Sequence, residues 1–434
     1  MFQTFRNAWK SVELRKKILY TLLILLIFRI GCTIPVPFLE ADKLAGLMGT
    51  SGNILNYMDA LSGGALSKAT LFALSIQPYI NSSIIMQLLT YALPPLERLQ
   101  KEGEEGRKKI QKITNVVSMF IALFMAYAYY LTMRSAGAVR YTSGFEGVFA
   151  AIVIIACFVA GASLIVWLGN QINEKGMGNG ISLILFAGIV ARGPSAVLKL
   201  FETAKADMKM IFLVILVLLI FVFMIGFIVF MNESERRIPI QYAKRVVGRK
   251  QYGGQNTHIP IKIAMSGVMP IIFAMSFMSI PATLELFIKR PTDPVGFWQN
   301  FYVGLLNFFA YNSPWYAIVY FLLIIGFNYF YVSMQYNPVE IANNLRQSNG
   351  GIPGIRPGKP TSDFIQRVLS KITLIGAIFL GLIAILPIIF NLAVPQLQIS
   401  MGGTSILIIV SVALETVRTL ESQLMMRHHK GFLE

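Results

Sequence analysis

The sequence predicts an all-α polytopic membrane protein: ten transmembrane helices in two inverted five-helix halves, with a short re-entrant helix. Three observations predict it. Over 434 residues the chain is 55% hydrophobic and only 14% charged, with a mean hydropathy of +0.62, a balance that soluble domains do not reach. Its apolar residues gather into blocks of roughly 20, the length a helix needs to cross a hydrocarbon core of ~30 Å. The 38 lysines and arginines are also unevenly placed: with the N-terminus inside, and cations near a span's end counted with the segment they adjoin, the inner segments hold 27 of them and the outer segments 10, Arg29 being left to the first span. That bias puts both termini in the cytosol.

The opening MFQTFRNAWKSVELRKK is basic and leads into the first span, 18–36. The length of that run, and the lack of a small-residue cleavage site after it, mark it as retained rather than as a signal peptide. The next segment, NYMDALSGGALSKATLFALS (56–75), is broken by Gly63 and Gly64 and carries Asp59 and Lys68. It is too polar for lipid and too apolar for a loop. Irregular backbone at membrane depth persists only where it is buried in protein or lines a watery cavity, so a short re-entrant helix on the outer side, over about 53–70, is expected. A surface-lying amphipathic helix is the alternative.

Four more spans, 76–93, 113–133, 147–168 and 181–200, complete a half that ends near residue 205. The second half, 206–434, holds 210–231, 263–288, 315–332, 364–390 and 404–420. An odd number of spans per half makes the second half enter the membrane from the opposite side, which is the arithmetic of an inverted repeat. A chain that merely encodes ten helices fits the same count. Arg192, Lys199, Lys205 and Lys209 stand on the wrong side for the charge bias and are outvoted. Among the charges within the spans are Arg29, Glu285, Glu415 and Arg418. Arg29 can snorkel outward, and Glu415 can pair with Arg418 one helical turn on.

Several function classes fall away. Cys32 and Cys157 both sit inside apolar spans, and His258, His428 and His429 have no metal-ligand spacing; neither a disulfide framework nor a zinc site is expected. There is no HExxH, GxSxG, GxxxxGK or dinucleotide fingerprint, so no enzyme and no cofactor is expected. An ion-coupled transporter needs acids or a polar cluster near the midplane, which the spans do not supply. An intramembrane enzyme lacks its Ser/His or acid dyad.

The cytosolic loops are more informative. ERLQKEGEEGRKKIQK (97–112), NESERRIPIQYAKRVVGRK (232–250) and QYNPVEIANNLRQSNGGIPGIRPGKP (335–360) concentrate the polar and basic residues. One reading makes them topology determinants solvated at anionic lipid headgroups. But Pro239, and the prolines and glycines at 350, 351, 353, 354, 357 and 358 around Arg356, shape the backbone as charge alone does not require. Shaped basic loops suggest docking of a large, partly anionic partner.

PYINSSIIMQLL (78–89), KEGEEGRKK (101–109), GMGNGISLILFAGI (176–189), ERRIPIQYAKR (235–245), GGIPGIRPG (350–358) and GGTSILI (402–408) closely resemble, in order, the signatures of the SecY family, the channel subunits of the bacterial Sec protein translocon. The resemblance runs from the first span to the last. It implies an hourglass channel between the halves, plugged from outside by the short helix that carries Asp59, Gly63, Gly64 and Lys68. It implies a lateral gate, between the second and third spans on one side and the seventh and eighth on the other, that passes signal sequences and membrane helices into lipid. It also implies SecE and SecG as small partner subunits. The loops over about 232–262 and 335–363 would bind SecA or the ribosome through Arg236, Arg237, Lys244, Arg245, Arg249, Lys250 and Arg356. Carried over by motif, the constriction is Ile80, Ile84, Ile181, Leu185, Ile272 and Ile408. Leu185 stands where the family often has isoleucine, which keeps the apolar character. Branched apolar side chains can gate by dewetting and yield around a passing chain.

Overall fold

The computed structural model describes residues 6, 9–40, 43, 59, 62–135, 137–206, 208–242, 245–247, 250–252, 256–288, 291, 296–310, 313–393 and 403–430. The chain is mostly helical. In order its helices are α1 (Val12–Gly31), α2 (Gln77–Ala92), α3 (Pro94–Lys101), α4 (Glu104–Ser135), α5 (Gly144–Lys175), α6 (Gly180–Ala206) and α7 (Met208–Glu233). After four strands come α8 (Met269–Met278), α9 (Ile280–Phe287), α10 (Phe297–Phe308), α11 (Pro314–Gln335), α12 (Pro338–Gln347), α13 (Lys359–Ala393) and α14 (Gly403–Lys430). Each apolar stretch read from the sequence falls mainly on helix, apart from 32–36 and 263–268. Among the described residues, five helical stretches are long and apolar enough to cross a membrane: all of α4 and α5, most of α7 and α13, and α11 with α12.

The departures have local causes. α1 ends at Gly31, before Pro35 and Pro37, which cannot continue a helix. The backbone of 34–36 instead pairs with a later segment, Val36 N–H donating to the Ala69 carbonyl at 3.0 Å and Leu71 N–H to that of Ile34 at 2.9 Å. α4 and α5 are 32 residues each, about 48 Å at 1.5 Å per residue. They therefore carry polar ends beyond any hydrocarbon core; α4 starts at Glu104, with Glu104 and Glu105 against the positive end of its dipole. The seventh stretch is split at Ser279 into α8 and α9. Pro281, lacking an N–H and clashing with the carbonyl four residues back, accounts for the break.

The all-α expectation needs correction. β1 (Glu235–Tyr242), β4 (Asn256–Lys262) and β5 (Gly350–Gly351) form an antiparallel sheet in the order β4-β1-β5, and β2 (Arg245–Val247) pairs with β3 (Lys250–Tyr252) as a ribbon at its tip. Pairing runs from Glu235 opposite Lys262 to Gln241 opposite Asn256. Ile238 and Ile240 alternate inward on β1 and join Ile261, Leu345, Ile352, Ile365 and Leu369 in a core shared with α12 and α13. Burial of that one face fixes the register, because a one-residue slip would turn both isoleucines to water.

Three larger cores hold the helices. One is built from residues between Val36 and Ala162, packing α4 on α5. A second lies between Met224 and Leu407, from α7, α8, α11, α13 and α14. The third draws on α1, α2, α5 and α6 together with Ile408 and Val412 of α14, so the last helix completes a core begun by the first half. Outward, Phe120 and Phe124 on α4, Phe145 and Phe149 on α5, and Phe212, Val222, Phe223 and Phe230 on α7 are exposed. An apolar surface of that extent is of the kind that faces lipid or another protein.

Candidate functional site

The six residues expected at a constriction do come together. Ile80, Leu185 and Ile408 are buried members of one apolar cluster, and Ile84, Ile181 and Ile272 pack against it, partly buried. All six lie within the first eight residues of their helices, α2, α6, α8 and α14. Within α2 and within α6 the two members are one turn apart and share a face. Ile24 and Phe28 of α1, and Ile165 and Leu168 of α5, fill the same cluster. No sequence motif pointed to these four, whose apolar periodicity is that of any span.

Residues 62–76 form a buried strap that contributes Ala65, Phe72 and Ile76 to this cluster. A helix was expected over about 53–70; Asp59 is helical and the rest of 53–61 lies outside the described residues, while from 62 on the segment is a succession of turns. Gly63 (φ 69°) and Gly64 (φ 86°) take left-handed conformations, as do Ala69 and Ser75, so no helix can run through them. The strap is packed closely. Phe72 stacks on Phe28 with centroids 5.8 Å apart, and a Cβ on Gly31 would meet the Phe72 ring at 2.0 Å.

Polar contacts hold the strap. The Asp59 carboxylate, buried, pairs with Arg192 of α6 at 2.9 Å and accepts the Ser67 N–H at 2.7 Å. Its own carbonyl accepts from Gly64 N–H at 2.9 Å and from the Ser62 hydroxyl at 3.0 Å. Arg29 Nη1 donates to the Gly63 carbonyl at 3.1 Å, and the Tyr129 hydroxyl to that of Leu66 at 2.7 Å. Arg29, though exposed, thus has a backbone partner within the protein. Arg192, which weighed against the charge bias, is consumed by a partner the sequence gave no reason to choose. Lys68 is exposed and stands apart from these contacts.

The Asp59–Arg192 pair yields a prediction. Removing one partner of a buried pair costs about 3–5 kcal/mol, and less here because Arg192 is about a third exposed. Asp59→Asn should loosen the strap and raise resting ion conductance in planar bilayers, and Arg192→Asp combined with Asp59→Arg should restore part of the seal. Wild-type conductance for Asp59→Asn would show that the pair does not hold the strap.

Helices expected to flank a lateral gate are in contact. The Tyr331 hydroxyl on α11 donates to Gln87 Oε1 on α2 at 3.0 Å, Tyr91 meets Phe330 edge-on at 5.8 Å, and α9 packs on α4. Arg418 does not turn to Glu415: its Nη2 donates to the Asn232 carbonyl at 2.8 Å, at the C-terminal end of α7.

The docking residues fall on the sheet and its surroundings. Arg236 and Arg237 are exposed on β1, where Arg237 Nε meets Glu235 at 2.7 Å. Arg245 and Lys250 begin the two strands of the ribbon, while Lys244 and Arg249 lie outside the described residues. Burial, and then the charge of Arg418, pull the Lys262 ammonium below its ordinary value, with Glu235 pulling the other way. The loop expected at 335–363 contains α12, capped by Asn337, whose side chain accepts from Val339 N–H at 3.1 Å. Arg356 is exposed on the turn that follows, between Gly354 (φ 80°) and Gly358 (φ 102°), and its carbonyl accepts the Thr361 hydroxyl at 2.9 Å. The pairing of β5 with β1 makes one surface of two loops; the alternation in RRIPIQ and THIPIK was the available signal.

Helices meeting in one apolar cluster with a buried strap, and a small sheet on the loops between them, make a multi-pass membrane protein with the fold of a protein-conducting channel. A solved structure described by that phrase superposes over 95% of this chain and 93% of its own with a TM-score of 0.64 at 19% identity. A SecY structure concerned with the plug domain gives 0.65 at 20% identity over the same shares. The SecY family model matches residues 70–417. The protein translocase subunit SecY of Thermotoga maritima is 40% identical over 100% of this chain and 98% of its own length, and that of Streptomyces griseus 39% identical over the whole of both. The chain belongs to the SecY family of protein translocase subunits.

Proposed function

We propose that this chain is the protein-conducting channel of a cytoplasmic membrane, moving unfolded secretory polypeptides across it and releasing membrane helices sideways into lipid. One observation carries the reading: six branched apolar side chains from four helices converge in one cluster under the strap. Such a ring excludes water and ions at rest, and it yields around a chain without hydrogen-bonding to it. On this reading ten helices cross the membrane in two inverted halves, 1–205 and 206–434, with both termini cytosolic, and residues 62–76 are part of the outer plug. The contacts of α2 with α11 and of α4 with α9 are the closed lateral gate through which signal sequences leave.

The sheet is then the cytosolic platform on which SecA or the ribosome docks to drive the nascent polypeptide inward. SecE and SecG brace the helices, and anionic lipids meet the remaining inner positive charges. A SecY-like channel of the canine endoplasmic reticulum, with the same fold at 17% identity and a TM-score of 0.59, is described in a ribosome complex, which favours a ribosomal partner for this platform.

A stalled secretory chain should crosslink to photoreactive probes placed at Ile84 and at Ile272, and not to a probe at the lipid-exposed Phe223. Crosslinks at none of these positions, with the chain engaged, would refute the pore assignment.

A further inference from the structure

α10 takes no part in the ring, the strap, the gate contacts or the sheet. Its sequence, FWQNFYVGLLNF, contains no charged residue. At about 100° per residue it sorts into three faces. Phe297, Trp298, Phe301 and Phe308 fall in one sector and are exposed, Phe297 by 78% and Trp298 by 79%. Tyr302 and Leu306, four apart, face the protein: Leu306 is buried, and the Tyr302 hydroxyl donates to the Ile288 carbonyl at the end of α9 at 2.7 Å. Asn300 and Asn307 occupy the third face, exposed.

The aromatic face is not isolated. Phe308 stacks on Trp315 in the first turn of α11, with centroids 6.0 Å apart and an interplanar angle of 21°. Trp315, Ile318 and Leu322 then run down α11 at i, i+3 and i+7, all exposed, on a helix long and apolar enough to cross a membrane. The aromatic sector thus continues the stripe that α11 turns to acyl chains. A helix with an aromatic side, a protein side and an amide side, attached at the end of a span, has the build of an element lying in the bilayer interface, where tryptophan and its neighbours settle at headgroup level.

We propose that α10 lies in the plane of the outer membrane–water interface, with Phe297, Trp298, Phe301 and Phe308 seated below the phosphates of the outer leaflet. With no lysine or arginine on it, α10 binds through apolar area and aromatic rings, so a zwitterionic leaflet suffices. Tyr302 ties it to the end of α9, and α9 packs on α4; the lipid surface therefore holds the outer end of one side of the gate. The outer placement rests on the ten-span orientation; the lipid contact does not.

The test uses the full chain with Cys32→Ser and Cys157→Ser, a single nitroxide at Phe301→Cys or Asn300→Cys, and phosphatidylcholine vesicles. At Phe301→Cys the label should relax more with oxygen than with a water-soluble nickel chelate, and at Asn300→Cys the ratio should invert. Trp298→Cys reads the same face if Phe301→Cys does not fold. Equal aqueous relaxation at both faces overturns the proposal, and so does shielding of the Phe301→Cys label from both agents, which would mean a protein covers it. Labelling of Asn300→Cys in spheroplasts by a membrane-impermeant maleimide should succeed from outside. Labelling only from the cytosol overturns the outer placement together with the span orientation, whereas aqueous accessibility at Phe301→Cys overturns the lipid contact alone.

Discussion

Replacing Ile84 and Ile408 together with asparagine is expected to turn a sealed membrane protein into a leaky one. Ile408 is buried and Ile84 packs on the same cluster from a different helix, so the pair puts two amides into one apolar neck. An amide buried without a partner costs several kcal/mol, and the neck relieves that cost by admitting water. Once wet, the ring no longer opposes ions by dewetting; a barrier lowered by about 1.4 kcal/mol already means a tenfold rise in conductance. Ile84→Val with Ile408→Val, which keeps the surface apolar, should stay close to the parent. Planar-bilayer recordings decide it: unchanged conductance in the double asparagine variant would remove the ring from the conducting path.

The second large effect is expected at Arg356. It is exposed on a turn whose course is set by two left-handed glycines and by the Thr361 hydroxyl on its own carbonyl. An arginine presented on such a preorganised loop can make two parallel hydrogen bonds to a carboxylate or phosphate, which lysine cannot reproduce. If SecA or the ribosome reads that loop, Arg356→Glu should abolish transport while folding and the closed seal remain intact, and Arg356→Lys should be partly defective. Reversing Arg236 and Arg237, two exposed charges among several, should cost less, since rim charges act mainly on association rate. Wild-type rates of SecA-driven preprotein transport into proteoliposomes carrying Arg356→Glu would leave the loop as a topology signal only.

The two variants probe parts of the protein that were unequally legible in its sequence. The six residues expected at a constriction came from the motifs of the family the sequence resembles, and the structure gathers all six in one apolar cluster. What no motif gave was the packing of α1 and α5 around them. The docking stretches were legible as basic and shaped, but their architecture was not: β1 and β5 come from loops more than a hundred residues apart, and only burial of Ile238, Ile240 and Ile352 over one core brings them edge to edge.

By itself the sequence determined that this is a helical membrane protein, where its apolar helices lie, which loops carry the positive charge, and, through ordered motifs, the family to which it is similar. Those features are local: hydropathy over about 20 residues, the side on which a lysine falls, and the glycine or proline that a given turn needs. The tertiary structure alone decided that the strap is a chain of turns. It also decided that Arg29 is spent on Gly63, 34 positions away, that Tyr129 reaches Leu66 across 63, and that Tyr331 reaches Gln87 across 244. The physical reason is that a buried polar group must find a partner, and which partner is near enough is settled only when the helices have packed and water has been excluded from between them.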